Sequence, residues 1–221
     1  MAPNPVSALP VLRLDAPAPE PRAAVLVARG AGHDTVSLRA AEAAGAMAGA
    51  AVRCAHSRIE VGPPRWGATP HRSLGDLLAE ALPATGLMLD LRGVDPRLPR
   101  TLLRELAGSG RQTVIACSRS WWLLEPLRGH LPVLHTVMTG RQLNVLLRRC
   151  DTTRLDGVVV HRRLLTPSRV TALRAMADSV YAWPADSASD ARRLLEWGVT
   201  GLIAERVEHL PGAVSNTPLA A

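Results

Sequence analysis

Four histidines, His33, His56, His135 and His161, stand within a few residues of the C-terminal end of a short apolar run. Arg29, Asp90, Arg92, Trp183, Glu205 and Arg206 occupy the same kind of position. Imidazole titrates near neutral pH, so His33, His56 and His161, with Asp90 as a carboxylate partner, are the candidates for proton transfer in a rearranged hydrolytic site. Against that stands the plainer alternative that polar residues at strand ends are solvated or hydrogen-bonded and do no chemistry. Arg29 and Arg92 carry planar guanidinium forks that match phosphate oxygens, so the pair reads as an anion clamp or, equally, as two ion pairs with Asp90 and Glu205. Trp183 suits the wall of such a pocket, or a packed cap above it.

Other chemistries find little support. Cys54, Cys117 and Cys150 are an odd set without Cys-x-x-Cys spacing, which argues against a disulfide framework and against a zinc site. All 26 basic residues are arginine, giving a formal net charge of +7 and a pI near 11.0. They are scattered as singles and pairs such as Arg148-Arg149, Arg162-Arg163 and Arg192-Arg193, with no basic run and no interleaved aromatics. That pattern is a solvated exterior and excludes a nucleic-acid face, while leaving an anionic small ligand open. No cationic segment precedes an apolar signal core, and no apolar run is long enough to span a bilayer, so a cytoplasmic protein is expected. Trp121-Trp122, followed by Leu123-Leu124, opens a helix with an apolar face: core packing, or a surface for a protein or lipid partner.

These residues need a scaffold. Residues 1–22 are rich in Pro and Ala and read as a disordered leader, residues 212–221 as a flexible tail, and 23–211 as one domain. Apolar runs at 24–28, 50–55, 86–91, 112–117, 132–136, 156–160, 179–183 and 200–203 predict eight strands. Helix signals fall between them. Asp34 or Thr35 caps a run through Ala44, Ser73 and Asp76 form a capping box, and Asp95-Pro96 opens another segment. Thr166-Pro167 supplies a cap and an N1 proline, and Ser187 with Asp190 starts a helix that Gly198 ends. Strand and helix alternating eight times predict a (β/α)₈ barrel, with a doubly wound open sheet as the alternative.

The stretch "VYAWPADSASDARRLLEWGVTGLIAERVEHL" from Val180 onward resembles the closing units of glycerophosphodiester phosphodiesterases: a strand ending in Trp, an Asp-Ala-Arg-Arg helix, Gly-Val, a strand, then an acidic-Arg turn. "GVVVHRRLLTPSRVTALRAM" and "SLGDLLAEALPATGLMLDLRG" resemble earlier units of that family. The resemblance implies a barrel of the phospholipase-C-like type, with its ligand site at the C-terminal strand ends and a reaction that yields glycerol 3-phosphate and an alcohol. It also implies deficits. The family's first strand ends His-Arg-Gly, whereas here Ala28 precedes Arg29-Gly30, and His33-Asp34 replace Glu-Asn. The family's calcium- or magnesium-binding Glu-x-Asp aligns with Val52 and Cys54, which cannot hold a hard cation. Its Glu-x-Lys becomes Asp90-Leu91-Arg92. The expectation is therefore a catalytically impaired, phosphate-ester-binding or regulatory pseudoenzyme without a metal cofactor, with Arg29, Arg92 and Trp183 at the ligand. The alternatives are an active hydrolase with a rearranged His/Asp site, and a structural partner protein that uses Trp121 and Trp122.

Overall fold

The computed structural model describes residues 24–62, 72–111, 113–131, 134–140 and 155–210, with 144, 146 and 148 singly. The expected leader, the tail, Cys150 and the first residues of the strands expected at 112 and 132 lie outside that set. In chain order the elements are β1 (Val25–Ala28), α1 (Thr35–Ala43), β2 (Met47–Ala55), β3 (Arg58–Gly62), β4 (Arg72–Ser73), α2 (Leu74–Glu80) and β5 (Leu87–Leu91). Then come α3 (Leu98–Leu106), β6 (Val114–Ser118), α4 (Trp121–Leu124), β7 (Leu134–Gly140), β8 (Leu155–His161), α5 (Pro167–Met176), β9 (Ala177–Trp183), α6 (Ala188–Glu196) and β10 (Gly201–Ala204).

Eight of these strands pair in parallel around a ring, β1-β10-β9-β8-β7-β6-β5-β2, and β1 also pairs with β2. That last pairing closes the barrel and excludes the open sheet. The strands read as continuous apolar runs because parallel strands are buried on both faces. Alternation sorts their side chains into two layers. Leu26, Leu89, Ala116, Val158, Val180 and Leu202 point outward and pack against Leu38, Leu77, Leu102, Leu124, Leu173 and Leu194 of the helices. Val27, Met47, Met88, Ile115, Val137, Val159, Tyr181 and Ile203, one from each barrel strand, fill the lumen. The interior is thus a packed core, and polar chemistry is displaced to its C-terminal end. Tyr181 is the largest of these plugs, and a Cβ at Gly201 would collide with its ring.

The expected helix starts form by the expected chemistry. The Asp34 carboxylate accepts from the Ser37 N–H at 2.8 Å, Ser73 and Asp76 make a reciprocal capping box, and Thr166 and Ser187 accept from Arg169 and Asp190 N–H groups. Asp95 acts one turn early: its side chain accepts from the Arg97 N–H at 2.8 Å, and α3 begins only at Leu98. Gly198, with φ of 91°, ends α6 in the left-handed region.

Two features depart from the sequence reading. Strand β2 runs three residues past its last pairing with β5, Val52 to Leu91, and folds back on β3 as an antiparallel hairpin. Strand β7 continues to Gly140, so His135 is its second residue and lies at the N-terminal end of the barrel, not on the rim. The polar Thr136 and Thr139 interrupt the apolar run that marks the other strands, and for that reason the strand was expected to end early. No helix among the described residues is long and apolar enough to cross a membrane.

Candidate anion site at the barrel mouth

In-facing positions continue past the lumen core to the mouth, where Arg29 follows Val27, Glu205 follows Ile203, and Trp183 and His161 follow Tyr181 and Val159. Parallel pairing of Ala28 with Ala204 sets Arg29 beside Glu205 across 176 residues of chain. Their side chains meet at 2.5 Å between Nη1 and Oε1. The Arg29 guanidinium also lies 4.8 Å from the centre of the Trp183 ring, a cation–π contact. Pairing of His161 with Trp183 brings the imidazole edge-on to the indole, 5.2 Å between centres at 85°. Glu205–Arg29–Trp183–His161 is therefore one contact chain over four adjacent strand ends. Behind it, the Glu205 N–H donates to Asp186 Oδ1 at 3.2 Å. The Trp183 Nε1–H is buried and meets no hydrogen-bond acceptor among the described residues.

Asp90 and Arg92 face the same end from β5. Arg92 donates from Nε at 2.8 Å and from Nη2 at 2.5 Å to Asp90 Oδ2. Arg29 and Arg92, at the ends of strands separated by β2, thus hold different carboxylates. Below Asp90, the Cys117 thiol is pushed well up by burial and by the nearby Asp90 charge, with Thr139 hydrogen-bonding against that trend. It is a core thiol, not a nucleophile.

The remaining expected residues are spoken for. His33 shares Nδ1 with the Gly30 carbonyl and places Nε2 2.9 Å from Asp34 Oδ2, which fixes the turn after β1. Burial raises the Asp34 pKa, but hydrogen bonds from Ser37 and the His33 charge outweigh it and hold the carboxylate below its usual range. His56 sits at φ 47° and Ser57 at φ 65° in the tight turn of the β2–β3 hairpin. That puts His56 about 13 Å along the strand from Val52 and away from the lumen. His161 alone of the three reaches the mouth. Its Nδ1 accepts from the Arg163 N–H at 3.2 Å.

Val52 and Cys54, expected from the resemblance to align with metal ligands, do not face the lumen. Val52 lies in the outer core and Cys54 packs against it; the in-facing residues of β2, by alternation from Met47, are Gly49, Ala51 and Arg53. Gly49 could carry no side chain without strain, since a Cβ there would stand 2.9 Å from the Ala28 carbonyl oxygen. Arg53 is occupied by Glu60 at 2.9 Å. Among the described residues no three His, Cys, Asp or Glu side chains converge, so the donor set does not suit a hard divalent cation, which takes six or more oxygens.

Comparison with solved structures follows this geometry. A phosphodiesterase from Oleispira antarctica, determined with its product sn-glycerol-3-phosphate, superposes with a TM-score of 0.75 at 14% identity, over 86% of this chain and 96% of that one. A Galdieria sulphuraria protein assigned to the glycerophosphodiester phosphodiesterases gives 0.70 at 16% identity, over 90% and 100%. A glycerophosphodiester phosphodiesterase from Parabacteroides distasonis gives 0.64 at 15% identity, over 84% and 94%. The chain has the glycerophosphodiester phosphodiesterase fold. No family model and no curated protein matches the sequence itself. Within this fold the chain places Arg29, preceded by Ala28, and Trp183 together at the mouth.

Sequence reasoning missed Thr139, Cys117 and Asp186. The first two become visible only when strand parity is counted from Val137 and Ile115. Asp186 carries no such signal, because its role is a bond to a backbone 19 residues away.

Proposed function

We propose that this protein is a diverged relative of the glycerophosphodiester phosphodiesterases that binds a phosphate monoester at the barrel mouth and does not hydrolyse phosphodiesters by that family's route. The observation that carries the reading is the Arg29 guanidinium, held between Glu205 and the Trp183 ring at the strand ends. The Glu205 side chain is 59% exposed, so its pairing with Arg29 contributes at most about 1 kcal/mol and exchanges readily. A phosphate offers charge-assisted bonds of about 1.5–3 kcal/mol each to the fork that Glu205 vacates. The buried Trp183 Nε1–H meets no acceptor among the described residues; an oxygen that reached it would relieve about 1–3 kcal/mol. The product bound by the Oleispira antarctica enzyme, sn-glycerol-3-phosphate, has this chemistry and is the first ligand to try.

Hydrolysis needs a group that can take and return a proton beside the scissile phosphorus. Ala28 offers none, His33 is tied to Gly30 and Asp34, and His161 Nδ1 already accepts from a backbone N–H. No catalytic step is assigned to a metal ion. The role is binding or regulation, and we place it in the cytoplasm. The rival reading, a rearranged hydrolytic site, would have to run through His161, the one candidate histidine at the mouth.

Calorimetric titration with sn-glycerol 3-phosphate, beside a turnover assay on glycerophosphodiesters with calcium or magnesium, tests both readings. The expected result is salt-sensitive binding at or below millimolar concentration, lost in Arg29→Ala, and no turnover in the parent chain. Absence of binding, or an Arg29→Ala chain that binds as well as the parent, overturns the ligand site. Turnover abolished by His161→Gln establishes the rival.

A further inference from the structure

Side chains that enter a barrel lumen from alternate strands meet in layers of four, and a stagger of about one residue per strand fixes which four. Carried round the pairings of this ring, that stagger puts Val27, Met88, Val137 and Tyr181 in one layer and Gly49, Cys117, Val159 and Ile203 in the next. The layer above these is Arg29, Asp90, Thr139 and Trp183, and the one beyond it is Ala51, Arg119, His161 and Glu205. The floor of the mouth is therefore polar, and it sets Asp90 level with Arg29.

Both of these groups keep an open side. Arg92 sends Nε and Nη2 to the same oxygen, Asp90 Oδ2, so among the described residues Asp90 Oδ1 accepts no hydrogen bond. Arg29 reaches Glu205 through Nη1, and among the described residues Nε and Nη2 of its fork meet no acceptor. The Asp90 charge is felt by the buried Cys117 thiol, to which Thr139 hydrogen-bonds, so the carboxylate lies over the lumen and not out on the rim. Arg29 and Asp90 stand on strands separated by β2, about 10 Å apart at the backbone, a gap that two side chains and a short bifunctional molecule fill.

The charges at this end have both signs, and their balance limits what can bind. Arg29, Arg92 and Arg119 face Asp90 and Glu205, while Asp186 and Arg206 stand exposed behind Glu205 and offset one another. A phosphate monoester brings a charge of about −1.5 to −2. Seated on Arg29, it has Glu205 beside it and Asp90 level with it, which leaves an excess of negative charge. An ammonium group on the same ligand removes the excess and gives Asp90 Oδ1 the donor it lacks. A hydroxyl would make the hydrogen bond and leave the charge.

We infer that the ligand of the barrel mouth is a small aminoalkyl phosphate, its phosphate on Arg29 and its ammonium on Asp90. This rests on the phosphate-binding reading and specifies it. Asp90 is then the residue that sets specificity, and Arg92 positions it. The floor lies one layer beneath His161 and Glu205, so the ligand is the free ester and not the same pair of charges on a lipid headgroup.

Calorimetric titration of the full chain with 2-aminoethyl phosphate and with ethyl phosphate, which lacks only the amine, tests the inference. The parent should hold the amine about tenfold more tightly. Asp90→Asn should bring that ratio close to one, whereas Glu196→Gln, the same change at the far end of α6, should leave it at about ten. Thermal transitions check that both variants fold. A parent ratio near one, or an Asp90→Asn chain that keeps the parent's ratio, overturns the ammonium site; ethyl phosphate that still binds and is lost in Arg29→Ala then leaves the phosphate reading standing. Failure of both esters to bind overturns the two together. Displacement of bound 2-aminoethyl phosphate by phosphatidylethanolamine vesicles overturns the assignment to a free ester.

Discussion

Replacing Arg111 by methionine removes a guanidinium that holds the end of a helix. Arg111 precedes β6 at the N-terminal end of the barrel and is only 6% exposed. It donates to the carbonyls of Leu78, Ala81 and Leu82 and, at 3.4 Å, to that of Thr85. These are the last carbonyls of α2 and of the turn that follows it; that of Leu82 also accepts from the Thr85 N–H at 2.9 Å, and the others lie beyond the reach of intrahelical N–H groups. Glu42 completes the clasp from α1, accepting from the Leu82 N–H at 2.8 Å and the Thr85 hydroxyl at 3.1 Å. Burial lowers the Arg111 pKa, opposed by the Glu42 charge, but the group remains far too basic to lose its proton. Methionine keeps the stem and loses the donors. The Leu82 carbonyl keeps the Thr85 N–H; each of the others costs about 1–3 kcal/mol when buried without a partner, and water reaches some of them, so the net loss is about 2–4 kcal/mol. For a chain of this size that lowers the melting temperature by about 5–15 °C. Arg111→Lys should restore little of it, since one ammonium cannot span the carbonyls that a planar fork spans. Arg100→Met, on the exposed face of α3, serves as the control. An Arg111→Met chain within about 0.5 kcal/mol of the parent in urea unfolding would refute the reasoning, because it would mean that solvent already serves those carbonyls.

Two further outcomes are expected. Tyr181 is the only tyrosine in the chain, and burial, with the nearby Cys117 adding to it and a Ser179 hydrogen bond opposing it, raises its pKa to about 12. The native state therefore holds this proton above the unfolded value near 10, so stability contributed by the neutral phenol is complete below pH ~10 and is lost as the pH climbs toward 12. Phenolate absorbance should stay flat through pH 10–11 in the folded protein, and a midpoint near 10 with circular dichroism unchanged would contradict the burial. Gly201→Ala drives a methyl group into the Tyr181 ring and should destabilise the chain by about 1–3 kcal/mol; a Gly201→Ala, Tyr181→Leu double variant less affected than the two single changes predict would confirm the clash.

The barrel was legible because its strands are buried on both faces. Runs such as "AVLVA" have no polar face to confuse their reading, and caps such as Ser73-Asp76 and Thr166-Pro167 act locally, so their chemistry survives in the linear chain. The same locality explains what was lost. The start of β2 at Met47 is hidden in a run of Ala and Gly, and the hairpin turn at His56-Ser57 uses neither Asn nor Gly. Arg111 has no sequence neighbour among its acceptors, which lie 26 to 33 residues away. Arg29 and Trp183 could be read from the sequence as strand-end residues because each directly ends or follows a strand. His33, His56 and His161 looked alike by that measure, and only three-dimensional partners separated a turn-fixing histidine and a hairpin tip from one at the mouth.

The ring is not equally strong all the way round. Strand β8 is registered with β9 through six residue pairs, whereas β1 meets β2 through two, Val27 with Met47 and Ala28 with Ala48, and β10 meets β9 through two. The thin joints flank β1 and β10, which are also the pair most widely separated along the chain. Bringing them together carries the largest loop-closure cost, so this sector zips up last and comes apart first, with its amides exchanging fastest. Arg29 and Glu205 stand on the two sides of that zipper. An anion that replaced Glu205 and bridged Arg29 to Trp183 would tie β1 directly to β9, so ligand occupancy and barrel closure would be read by the same hydrogen-exchange experiment.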